Sequence, residues 1–96
     1  MIGPRERHEL PRGPLVGLAE LVASRRRLLK LTQRAAADLA GVGNSSIYAV
    51  EAGSDRVTLA ILLRILDALG LVLAAAPPAA LPRDLQVVTL SGMREL

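Results

Sequence analysis

Apolar residues recur along the chain at three- and four-residue steps, broken at intervals by glycine and proline. That pattern predicts four helices. From Leu15 to Leu29, the residues Leu15, Leu18, Val22 and Leu29 line one helical face while Glu20, Ser24 and Arg27 point elsewhere. Pro14 suits the first turn of this helix, where a missing N–H costs nothing. Thr32 is a good N-cap for a second helix over Gln33–Ala40, because its hydroxyl can accept an orphan backbone N–H. Ala35, Ala36 and Ala37 favour that helix, and Gly41 stops it. A third helix over Asn44–Glu51 buries Ile47 and Val50 and ends at Gly53. The fourth is capped by Thr58 and runs to about Leu69, with Gly70 as its stop. Leu59, Leu62, Leu63, Leu66 and Leu69 form its apolar stripe, and Arg64 and Asp67 stay in water.

Outside the helices the character changes. Residues 1–13 mix Gly and Pro with charges and lack periodicity, which predicts a flexible arm. Residues 14–70 hold the helical domain. Residues 71–76, beginning Leu71-Val72-Leu73 and stopping before Pro77 and Pro78, are too short for a helix and predict a strand. Residues 77–96 form a tail, or a second strand over Leu85–Leu90, where Val87, Val88 and Thr89 have β character; this segment is a candidate for holding a partner.

Composition narrows the possible chemistry. Hydrophobic residues make up 51% of the 96, yet Tyr48 is the one aromatic, so the core must be aliphatic. A charged fraction of 22% argues against disorder throughout. No apolar run reaches the roughly 18 residues a membrane span needs, and Arg5 to Glu9 occupy the place of a signal-peptide core, so a cytoplasmic, nucleoid-associated protein is expected. Without Cys, disulfides, thiol catalysis and Cys-bound zinc are ruled out. His8 alone supports neither a metal cluster nor a catalytic triad, and it reads as an idle residue of the arm; no metal site and no cofactor are expected. The carboxylates are scattered, with no nucleophile–base pair, so an enzyme is disfavoured. One Tyr is a poor stacking platform for single strands. The net charge of +3 is compatible with a polyanion as partner.

Two short helices around Gly41-Val42-Gly43 form the pattern of a helix-turn-helix. The second helix must enter the major groove while the first braces it at a steep angle. Ala37 is small enough for close crossing, and Gly41 tolerates the positive φ of the turn. Anchoring by Ile47 and Val50 turns Asn44, Ser45, Tyr48 and Ala49 outward.

Leu31-Thr32-Gln33, Ala37, Gly41-Val42, Ser46-Ile47, Glu51 and Gly53 resemble the Xre/Cro-like family of phage and bacterial repressors. With the flanking helices, the resemblance covers about residues 15–70. It implies a mainly α, lambda-repressor-like domain of four to five helices, with a short C-terminal β-strand pairing across a homodimer. The ending Leu66-Asp67-Ala68-Leu69-Gly70-Leu71-Val72-Leu73 is similar to small antitoxins of the HipB type. That likeness implies a repressor of its own toxin–antitoxin operon, binding a palindromic double-stranded operator and a HipA-like kinase toxin.

By the same resemblance, Gln33 and Arg34 match phosphate-binding positions at the start of the bracing helix. Asn44 and Ser45 match the groove-entering positions, where an Asn amide can pair with adenine and Ser with either base type. Tyr48 would bond a phosphate or pack on a thymine methyl, Ala49 shares its outward face, and Arg56 would add a phosphate contact. Arg26 and Glu51 match an ion pair bridging the first and third helices. Gly43 stands where the family often has a Ser or Thr cap, so Asn44 is a candidate cap as well as a candidate reader. Ala36 replaces a larger aliphatic, and the recognition helix has no Lys or Arg for guanine.

Other readings stay open on the residues alone. Arg25-Arg26-Arg27 with Lys30 reads equally well as a phosphate-facing patch or a solvated helix face. The uncharged helix Asn44–Val50 also suits a protein-interaction module with little DNA binding, and a solitary Xre-type repressor is the third possibility.

Overall fold

The computed structural model describes residue 13 and residues 15–80. These form α1 (Val16–Leu28), α2 (Gln33–Ala40), α3 (Asn44–Glu51) and α4 (Leu59–Ala68), followed by a 3₁₀ turn at Pro78–Ala80. The arm over residues 1–12, Pro14, His8 and the strand or tail expected at Leu85–Leu90 lie outside the described residues.

Local chemistry sets the helix boundaries. The Thr32 hydroxyl accepts the Ala35 N–H at 3.0 Å, and the Thr58 hydroxyl accepts the Ile61 N–H at 3.2 Å. Each satisfies one of the donors that a helix start leaves orphaned. Gly41 takes a left-handed φ of 71°, which lets Val42 return its N–H to the Ala37 carbonyl at 3.0 Å and turns the chain toward α3. The end of α1 is made differently. Lys30 adopts φ 60°, a conformation that costs an L-residue roughly 1–2 kcal/mol. In exchange, its N–H reaches the Arg27 carbonyl and the Leu31 N–H reaches that of Arg26. The Arg26 guanidinium holds this turn from the other side, its Nη1 donating to the Leu31 carbonyl at 2.7 Å.

The core is aliphatic, as the composition requires: Val22 from α1, Ala36 and Ala37 from α2, Ile47 and Val50 from α3, and Ile65, Leu66 and Leu69 from α4 and its end. Helix α3 packs on α1 and α2, while α4 leans chiefly on α2. The small volumes of Ala36 and Ala37, both buried, let α2 approach its neighbours closely.

Three expectations change. Leu29, placed on the apolar face of the first helix, is 41% exposed, because α1 ends at Leu28 and the chain has begun to turn. Ala19 and the charged Arg26 take the buried places instead. In α4, Leu59 and Leu63 are 61% and 43% exposed, while Ile65 is fully buried. Arg64 and Asp67 mark the wet side, but Leu59 and Leu63 flank it, so leucine spacing alone does not give the rotation of the helix. Residues 71–77 leave α4 as irregular chain, and among the described residues there is no strand. Val72 stands 88% exposed there. A lone extended segment cannot satisfy its own backbone groups, so the strand expected over 71–76 is not formed within a single chain.

Candidate nucleic-acid interface

Helix α3 is fixed by burial on one side and by a charge network at its end. Ile47 and Val50 are buried against the core. At the last turn, Glu51 meets Arg26 of α1 in a two-pronged pair: Nε to Oε2 at 2.7 Å and Nη2 to Oε1 at 3.1 Å. Gln33, at the start of α2, donates Nε2 to Oε1 of the same carboxylate at 3.2 Å. Together with the Leu31 contact, this network ties α1, the turn after it, α2 and α3 at one point. Among the described residues no buried side-chain nitrogen or oxygen lacks a partner. A charge pair removed from water is tolerated on that condition.

The opposite side of α3 faces out. Ser45 is exposed, and Asn44, Tyr48 and Ala49 are half-buried, with Tyr48 also packing on the edge of the core. The N-cap is Gly43, which offers no side chain, so Asn44 is the first helical residue rather than the cap. Neither α2 nor α3 has an acidic residue in its first turn to repel a phosphate. Arg34 is exposed on α2, and Arg56 is exposed in the loop after α3, its backbone N–H held by the Ser54 hydroxyl at 3.1 Å.

Two expectations about phosphate contacts change. Gln33 is only 1% exposed and its side chain is committed to Glu51, so it offers no phosphate contact at the surface. The run Arg25-Arg26-Arg27 with Lys30 is divided three ways. Arg26 is buried in the pair, Arg25 donates Nε to the Leu69 carbonyl at 2.8 Å, and Arg27 and Lys30 remain exposed. The contact from Arg25 spans 44 residues and has no local signal in the sequence.

Among the described residues no cluster of His, Asp and Glu is suited to hold a metal ion, and no helix is long and apolar enough to cross a membrane. No curated protein matches the chain. A helix-turn-helix family model does, over residues 22–73, more than half of the 96. That stretch runs from the middle of α1 to just past α4 and contains the buried charge network, the glycine turn and the outward face of α3. The chain therefore belongs to the Xre/Cro-like helix-turn-helix family, and its domain is that of a DNA-binding transcription regulator.

Proposed function

We propose that the protein is a repressor that binds a palindromic operator as a homodimer, and that it serves as the HipB-like antitoxin of an operon encoding a HipA-like kinase toxin. One observation carries the DNA reading: Asn44 and Ser45 lie at the open start of a helix whose far end is locked by buried charges. A reader helix has to be stiff behind and accessible in front.

In this reading Asn44 and Ser45 meet base edges, with Asn44 spanning N6 and N7 of an adenine. Tyr48 and Ala49 follow one turn on, against a phosphate or a thymine methyl. Arg34 and Arg56 hold phosphates and set the register. With no Lys or Arg on α3, phosphate contacts supply most of the affinity. The homodimer reading draws on the exposed Leu59 and Leu63 and on a segment at 71–76 that could pair with a second copy. A core of this size is marginal on its own. Two copies would set their reader helices about one DNA turn, roughly 34 Å, apart. The antitoxin assignment draws on the ending 66–73 and on residues 77–96 as a segment for the toxin.

The test is binding to duplex DNA from upstream of its own gene across a salt series. Affinity should fall steeply and linearly on logarithmic axes as salt rises; an absent or salt-insensitive shift defeats the proposal. Asn44→Ala should weaken that duplex by about 1–3 kcal/mol while sparing unrelated DNA. Equal losses on both would remove Asn44 as a base reader. A chain ending at Ala76 should keep DNA binding and lose the toxin. Negligible DNA binding by the full chain, with the partner retained, would favour the protein-interaction module that the uncharged Asn44–Val50 face also suits.

A further inference from the structure

The two consecutive arginines of α1 hold the ends of two different helices. Arg26 grips Glu51 at the end of the reader helix, and Arg25 donates Nε to the Leu69 carbonyl at the end of α4. That second bond completes an otherwise ordinary helix end. The Gly70 N–H returns to the Asp67 carbonyl at 3.0 Å and the Leu71 N–H to that of Leu66 at 2.8 Å, which leaves the Leu69 carbonyl for the guanidinium. The fit is close: a Cβ built on Gly70 would lie 3.2 Å from Arg25 Nη2, so the guanidinium lies directly against the backbone of the turn. The next residues, from Val72 onward, are exposed. Arg25 therefore sits where the chain leaves the domain for residues 71–76, one residue along α1 from the anchor of α3.

We infer that Arg25 is a positioning residue for half-site spacing. It fixes the direction in which residues 71–76 leave the domain relative to α3, and so the separation of two reader helices in a dimer joined through that segment. The inference rests on the dimeric-operator reading above. A bond to a charged donor is short, directional and stronger than a neutral one, which suits it to hold an exit angle that burial alone would leave loose. Arg25 needs no contact with DNA to do this. Its Nε is turned to α4, in contrast to Arg27 and Lys30, which are exposed on the same helix and the turn after it.

The experiment uses the full chain and duplexes that the wild-type protein selects from a randomised pool, rebuilt as single half-sites and as paired half-sites with centre-to-centre spacings varied base pair by base pair. The wild type should favour one spacing. Arg25→Met, which keeps the bulk and loses the donor, should bind a single half-site as the wild type does, with the same salt slope. It should lose roughly tenfold at the preferred spacing, the scale of one charged hydrogen bond, and its spacing profile should flatten. Arg25→Lys, which keeps a donor without the planar fork, should restore part of the selectivity and guards against a Met variant that fails to fold. A profile in both variants that matches the wild type overturns the inference. A half-site loss with a salt slope lowered by about one would make Arg25 a phosphate contact instead and overturn it equally. A wild type with no preference for paired sites sinks the dimeric-operator reading, and that outcome is visible before any variant is compared.

Discussion

Helices α3 and α4 are neighbours of similar length held in the domain by different physics. Helix α3 buries two aliphatic side chains and then closes on a directional network, with Glu51 receiving Arg26 through two bonds and Gln33 through a third. Its outward residues, Asn44, Ser45, Tyr48 and Ala49, are uncharged, and three of the four carry a hydrogen-bonding side chain. Helix α4 has leucine or isoleucine at six of its ten positions, and only some of them find the core. Leu59 and Leu63 stay in water, as do Val72 and Leu73 just beyond. Hydrogen bonds fix rotation and tilt, while burial is non-directional and fixes neither so tightly; α4 has the one Arg25 bond at its end where Glu51 of α3 receives three. The contrast matches two kinds of partner. A stiff polar ridge suits a surface read through hydrogen bonds, and an apolar excess suits a protein surface that removes it from water.

The largest effect should come from breaking the directional side. Glu51→Leu strands the Arg26 guanidinium and the Gln33 amide in a dry site and should cost about 3–5 kcal/mol, much of the stability of a small domain. Urea denaturation should show the chain largely unfolded or melting far earlier. Adding Arg26→Met should recover most of the loss, since a packed apolar pair can replace a buried ion pair. The recovery should stop short of complete, because Gln33 Nε2 and the Leu31 carbonyl would still lack their partners. A small effect of the single substitution would mean that packing alone holds α3, and the contrast with α4 would disappear.

The apolar side is tested by its leucines. Leu59→Lys with Leu63→Lys should convert the proposed dimer to monomer in sedimentation equilibrium, at a cost of about 1.5–3 kcal/mol for each leucine that a second copy would cover. The cost should appear as a melting temperature that no longer depends on protein concentration. If these leucines face water in solution, the double variant should melt within about 0.5 kcal/mol of the parent at every concentration. The dimer surface would then have to be sought elsewhere.

Much of this contrast was legible residue by residue, and what was not has physical causes. Thr32, Gly41 and Thr58 act on their own helix ends, so the bounds of α2 and the start of α4 follow from local chemistry. The helix-turn-helix and the Arg26–Glu51 pair were likewise visible, the pair through family resemblance. The rotation of α4 was legible only in part. Arg64 and Asp67 mark its wet side while leucines flank that side as well as the core face, so leucine spacing alone does not separate Leu59 and Leu63 from the buried set. The burial of Gln33 was not legible: a glutamine at the first position of a helix is ordinarily solvated. Its orientation is set by an oxygen of Glu51, 18 residues away. Arg25 was hidden for the same reason at longer range. Adjacent arginines read as one charge run, and only the fold assigns one to a carboxylate and the other to a helix end.

The smallest effect is the most informative about what α3 touches. Gly43→Ser would give α3 the side-chain cap it lacks, and there is room, since a Cβ at that position would meet nothing nearer than the Ser45 hydroxyl at 3.8 Å. Serine and glycine differ as N-caps by only a few tenths of a kcal/mol, so thermal melts should show a slight gain in stability. The introduced hydroxyl would accept an N–H of the first turn, the end of α3 where DNA phosphates and base edges are expected to approach. Affinity for the duplex from upstream of the gene should therefore fall as stability rises, because a donor satisfied within the chain is withdrawn from the groove. Stability and affinity rising together would mean that the start of α3 does not approach the DNA, and the polar ridge that distinguishes it from α4 would need another partner.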